Sequence, residues 1–257
     1  MGLRALSVGL VGLLVACAAH AADIKVVTSG GFAAPAQALV AGYEQATHNQ
    51  AEILLGPSMG ETHDAIPARL ARGEPLDVLL MVASALDELI KQGKVDPSSR
   101  VAIADSYIGM AVKAGAPKPD ISTVAALKQT LLNAKSIAYS DSASGVYLSK
   151  EGFAKLGIAD QIAGKSRMIP ATPVGEIVAK GEAEVGFQQL SELMPVKGID
   201  LVGPLPEGIQ KVTPYAAGIP VGSKQPAAAK AFIQYMVSPA AAATVKSFGL
   251  TPVTAKP

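Results

Sequence analysis

The sequence predicts an α/β protein folded as two lobes, each a mostly parallel sheet flanked by helices, with a ligand held in the cleft between them. Three observations predict this. Short β-branched runs alternate with helical stretches between residues 24 and 91, the pattern of parallel sheets covered on both faces. The alternation starts again at Tyr107. A strand-and-helix segment from residue 212 onward then returns the chain. Two crossings follow, expected near residues 102–106 and 211–215. They divide the chain into one lobe of 22–104 plus 214–257 and a second of 105–213.

In the first set, residues 24–28 read as a buried strand, short and β-branched. Ser29-Gly30-Gly31 reads as a turn, and residues 35–43 as a helix. Residues 52–55 form a second strand, followed by the loop 56–60. Pro67 suits the first turn of a helix that Gly73 and Pro75 stop. Residues 78–82 are a third strand, and 85–91 a helix closed by Gly93.

In the second set, strands are expected at 107–113, 136–139 and 185–188. Helices are expected at 124–134, 146–156 and 177–180, and Asp141 to Gly145 is a loop. Residues 212–220 read as the returning strand, and the tail from 227 to 248 as two packed helices.

The first residues point to export. Arg4 gives a basic start, residues 6–17 are an almost unbroken apolar run, and Ala19-His20-Ala21 supplies small residues where a signal peptidase reads. Residues 1–21 are thus a secretory signal peptide cleaved before Ala22, and the periplasm is the expected compartment. Leu14-Val15-Ala16-Cys17 also fits the motif before a lipidated cysteine; the Ala-His-Ala site is preferred.

Cys17 is the only cysteine, so stability in an oxidising compartment comes from burial rather than disulfides. Losing Arg4 with the leader takes the formal net charge from +1 to about zero. There is no Lys/Arg run to suit a nucleic acid. No later apolar stretch reaches the ~18 residues of a spanning helix.

In open α/β sheets, ligands bind beyond the carboxyl ends of the strands. Ser58 and Ser144 sit in strand-to-helix turns there, where unpaired amides and the helix dipole favour an anion. The plainer alternative for each serine is turn chemistry, since serine caps helices routinely.

Several runs carry a family resemblance. They are Val26-Val27-Thr28-Ser29-Gly30-Gly31, Gly56-Pro57-Ser58, Arg72-Gly73-Glu74-Pro75-Leu76-Asp77-Val78, Ser142-Ala143-Ser144-Gly145 and Gly181-Glu182-Ala183-Glu184-Val185-Gly186-Phe187. In this order they resemble the type II periplasmic-binding proteins and, within them, the molybdate-binding family. The resemblance spans essentially the whole mature chain. It implies a hinged clamp that captures an anion with hydroxyls and N–H groups.

Two positions depart from the family. Its first-turn serine falls on Gly31 and its late tyrosine on Gln189. A tetrahedral oxyanion then fits worse and a larger organic anion better. Ser29-Gly30-Gly31-Phe32, Gly56-Pro57-Ser58-Met59-Gly60, the run from Arg69 to Pro75 and the run from Ser140 to Tyr147 are similar to the periplasmic aconitate isomerases, a narrower group.

That likeness implies proton transfer on a tricarboxylate. A base takes a proton from the substrate methylene and returns it at the other end of the allylic system. No metal or redox cofactor is implied, and no CxxC, HExxH or GxGxxG motif is present. Under this reading Ser29, Ser58, Met59 through its N–H and Arg69 bind substrate from the first lobe. Ser144, Val174 through its N–H and Gln189 bind it from the second. Arg72 reads as part of a solvated helix face.

His63, with Glu61 nearby, is the expected base, because His20 leaves with the leader and His63 lies beside the Ser58 loop. Ordinary exposed loop residues are the alternative for both, and Tyr139, Tyr147 and Tyr215 are other candidates. The competing function is a non-catalytic receptor that delivers an oxyanion or organic acid to an ABC permease, since one clamp serves either role. A monomer is expected.

Overall fold

The computed structural model describes residues 21–254; Cys17 and the body of the expected leader lie outside them. The described chain forms two sheets. Lobe one begins with β1 (Asp23–Thr28), α1 (Gly30–Thr47), β2 (Gln50–Leu55), α2 (Ile66–Ala71), β3 (Val78–Val82) and α3 (Ala83–Lys91), and reaches β4 (Val101–Ser106).

Lobe two follows with β5 (Ile108–Lys113), α4 (Val124–Asn133), β6 (Ile137–Ser140) and α5 (Ala143–Tyr147). A π turn (Leu148–Gly152) joins α5 to α6 (Phe153–Lys155). Next come α7 (Ala159–Ile162), β7 (Ser166–Ile169), α8 (Val174–Lys180), β8 (Val185–Gln189), α9 (Leu190–Leu193) and β9 (Ile199–Pro204). The chain returns through β10 (Thr213–Gly218), α10 (Pro226–Met236), α11 (Pro239–Ser247) and β11 (Thr251–Pro252).

The first sheet has six strands in the order β11-β4-β10-β3-β1-β2, and the second has five in the order β7-β6-β8-β5-β9. Both are mixed rather than mostly parallel. β1 pairs in parallel with β2 and β3, and β6 with β7 and β8. The strands that carry the chain between lobes enter the other way: β10 runs antiparallel to β3 and β4, and β5 antiparallel to β8 and β9. A crossing strand arrives from the cleft side, whereas strands joined by helices all leave toward it.

β3 shows why the lobes hold together. All five of its residues are buried, as expected of a central strand covered on both faces. Val78, Leu80 and Val82 pack into one core with Phe32, Tyr43 and Phe232 from α1 and α10. Leu79 and Met81 pack on the other face with Ile66, Leu86 and Leu89 from α2 and α3. In lobe two, Val185 and Phe187 face Leu127, Leu131 and Phe153. Gly186 faces the other way, and a Cβ there would overlap Val174 and Val178, so the glycine lets α8 lie against β8.

Two helices start earlier than their sequence signals suggested. α1 starts at Gly30 behind Ser29, which places Pro35 inside the helix. α5 starts at Ala143 behind Ser142, which places Ser144 in its first turn. In both cases the small polar run read as a loop is the cap and first turn of the helix.

Candidate functional site

The carboxyl ends of β1, β2 and β3 converge on two serines. Ser29 follows β1 and caps α1 without a side-chain bond to that helix. Ser58, beyond β2, donates from Oγ to Ser29 Oγ at 2.8 Å and accepts from Val82 N–H, at the end of β3, at 3.0 Å. Both serines are buried. Ser29 makes no side-chain bond to its own helix, Phe32 N–H bonds the Ser29 carbonyl at 3.0 Å and the Gly31 backbone engages the Tyr215 hydroxyl, so the positive end of α1 lies at this turn.

Lobe two supplies a matching edge. Ser140, at the end of β6, lies 2.8 Å from Ser142 Oγ and 3.0 Å from Ser144 Oγ. A Cβ at Gly145 would overlap the Ser140 carbonyl, so glycine is what lets α5 turn away directly from β6. The N–H of Val174, which starts α8, bonds Gln188 Oε1 at 2.9 Å. Asp141 accepts from Ala171 N–H at 3.0 Å, and Ala171 is one of two non-glycine residues at positive φ among the described residues.

The two edges meet through α9. Ser191 Oγ donates to the Gly31 carbonyl, in the first turn of α1, at 2.6 Å. That carbonyl is free for it because Pro35 has no N–H to close the helical bond four residues on. Glu192 lies beside Gly30, where a Cβ would overlap its Oε1. Burial pushes the Glu192 carboxyl up to about 7, partly offset by the Gln188 side chain and the Gln189 backbone, while Asp141 adds to the rise. Tyr215, on β10, sets its hydroxyl where a Cβ of Gly31 would stand, and its ring stacks on Phe32. Burial first, then the Glu192 charge, raises the Tyr215 pKa, so its hydroxyl stays protonated; Ser29 and the Gly31 backbone oppose this in part.

The expected binding residues fall into three groups. Ser29 and Ser58 are joined directly, and Ser144 and Val174 sit on the facing edge. Gln189 instead braces the crossings, accepting from Ser106 on β4 at 2.8 Å and donating to Thr213 on β10 at 3.1 Å. Arg69 is engaged within lobe one, bonded to Glu74, to the Asp64 carbonyl and to the Leu55 carbonyl. Met59 is exposed, Glu61 is exposed, and the His63 side chain is 82% exposed and paired with Asp64.

Sequence reasoning missed Glu192, and named Tyr215 only as one tyrosine among three. The available signal was the glycine pair 30–31, whose missing side chains make room for these two groups. A groove of about 510 Å³ opens elsewhere, on lobe two beside α4; its lining has Asp120 and Glu184 and no cation, which suits no anion. The converging hydroxyls lie where the two lobes meet, and the candidate site is there.

Two α/β lobes with helix starts and hydroxyls facing a shared cleft are the architecture of solute-binding proteins. Over residues 24–251 the chain matches the bacterial extracellular solute-binding proteins, and it belongs to that family. It is 51% identical, over 91% of this chain and 89% of the relative, to an aconitate isomerase from a Pseudomonas species. It is 29% identical, over 96% of this chain and 97% of the relative, to the molybdate-binding protein ModA of Azotobacter vinelandii. The solved structure of an Azotobacter vinelandii periplasmic molybdate-binding protein superimposes with a TM-score of 0.68 at 24% identity, covering 89% of this chain and 98% of that one.

Proposed function

We propose that the protein interconverts trans-aconitate and cis-aconitate by allylic proton transfer. The reaction takes place in the cleft between a lobe of residues 22–104 with 214–257 and a lobe of residues 105–213. The observation that carries this reading is the 51% identity, over 91% of the chain, to the Pseudomonas aconitate isomerase. The chemistry of the cleft agrees with it. Three substrate carboxylates need donors on both sides. Ser29 and Ser58, the first-turn amides of α1 and the Met59 N–H offer them from lobe one.

Ser144 and the Val174 N–H offer donors from lobe two, the latter once substrate displaces Gln188 Oε1. Arg69 reaches a carboxylate only by leaving Glu74 and the Leu55 carbonyl. Gln189 contributes by holding the crossings in register. Such donors, fixed before substrate arrives, stabilise charge that develops on a carboxylate as the methylene proton leaves. The chain is exported, its leader removed before Ala22 rather than lipidated at Cys17, and works as a monomer without a cofactor.

A proton NMR time course with trans-aconitate in deuterated buffer tests the reading. Growth of cis-aconitate signals is expected. The second reading, a receptor feeding an ABC permease, is favoured by the 29% identity to ModA. It would be supported by no conversion together with stabilisation by molybdate or by aconitate.

A further inference from the structure

Glu192 sets its carboxyl against Gly30, in the first turn of α1 and beside the paired serines. Glu61 is exposed on the outer loop. Asp141 is exposed and held by Ala171 N–H. Glu192 is partly buried, and no Lys, Arg or His is among the groups that act on its carboxyl. A carboxyl enclosed at a lobe interface with amide partners and no cation among them is a costly arrangement. The fold nonetheless keeps glycine at 30, where any side chain would strike Glu192 Oε1, and glycine at 31, where any side chain would strike the Tyr215 hydroxyl.

We propose that Glu192 takes and returns the proton in this isomerisation, with Gly30, Gly31 and Tyr215 as the positioning groups that keep its carboxyl at the mouth of α1. This rests on the isomerase reading of the same cleft. In the forward step the Glu192 carboxylate removes a proton from the substrate methylene. The C–H bonding pair moves into the allylic system and onto a carboxylate held by the serine hydroxyls and α1 amides. In the return step the Glu192 acid delivers that proton to the former vinyl carbon. The double bond now joins the former methylene carbon to the central carbon. Proton and charge balance over the cycle, and one group serves both steps.

A carboxyl that ionises near neutrality suits both steps, since each form is well populated. The titratable and charged groups facing it are Tyr215 from β10 and Asp141 from the loop after β6. The first turn of α1 carries no charged side chain, and Glu176, in the first turn of α8, is exposed.

The test compares wild type, E192Q and, as a control on the exposed face of α3, E88Q, for aconitate turnover and for thermal stabilisation by trans-aconitate. E192Q is expected to lose roughly 10²–10⁴-fold in kcat with KM changed less than about threefold and stabilisation retained. E88Q is expected to turn over within about twofold of wild type. E192Q turning over near the wild-type rate overturns the proposal while leaving the isomerase reading intact. An inactive wild type overturns both. If E192Q fails to fold, the pH profile of wild-type kcat decides. A limb near pH 7 is expected, and a kcat flat between about pH 5 and 8 would overturn the assignment.

Discussion

Glu192 is a carboxyl whose folded environment opposes its ionised form. Its pKa rises from 4.5 to about 7 on folding, with burial the main cause. The folded protein therefore holds this proton more tightly than the unfolded chain does. The resulting stability is fully present below about pH 4.5 and is lost as pH rises through about 7, a difference of up to about 3 kcal/mol. E192Q, neutral throughout, should match wild type at the acid end of this range. At about pH 8 it should be more stable by about 1–3 kcal/mol. Urea denaturation of both proteins across the range checks this, and parallel pH dependences would mean that Glu192 ionises normally. The residues around Glu192 carry no signal of this environment, and the approach of α1 from the other lobe encloses it.

At the level of elements, α1 shows both how far the pattern reaches and where it stops. Residues 35–43 carry the apolar spacing of a helix, and that stretch lies within α1. The five residues ahead of it gave no such signal, because Gly30 and Gly31, followed closely by Pro35, argue against a helix interior. They are helical here because Ser29 sets the start and because Ser191 takes over the carbonyl that Pro35 leaves open.

S191A should therefore cost about 1–3 kcal/mol, the penalty of a buried acceptor without a donor. P35A should restore a donor within α1 and recover part of that loss. A double-mutant cycle by urea denaturation measures the coupling, and strict additivity would mean that the Ser191 bond and the Pro35 gap act independently. β7 and β9 were not identified from sequence. Both are edge strands of the second sheet, and their partly exposed residues lack the continuous apolar run that marked β3.

For the whole molecule, the contacts between lobes centre on α9. They include the bond from Ser191 to Gly31, the approach of Glu192 to Gly30 and that of Leu190 and Met194 to Gly249, while Gln189 braces the crossing strands. Two crossings between the lobes allow opening and closing about them. A ligand that bridges both lobes should stabilise the closed arrangement by mass action. At a trans-aconitate concentration 100 times Kd the gain is about 2.7 kcal/mol. A raised melting temperature and a smaller radius of gyration in solution scattering are expected together. Stabilisation with an unchanged radius would place ligand within one lobe.

The sequence by itself determined the α/β class, the two sets of alternating strands and helices, the family, and the serines at the strand ends. All of these rest on short-range signals, namely residue periodicity, caps and turns, which the chain carries within a few residues of each feature. Tertiary structure alone decided which strands pair antiparallel, that Arg69 spends its guanidinium within its own lobe, and that Gln189 braces the crossings. It also decided that Gly30 and Gly31 make room for Glu192 and Tyr215. The arrangement at Gly30 and Gly31 depends on groups about 160 residues apart in the chain meeting at one point, and the ionisation of a carboxyl follows from what surrounds it rather than from its neighbours in sequence.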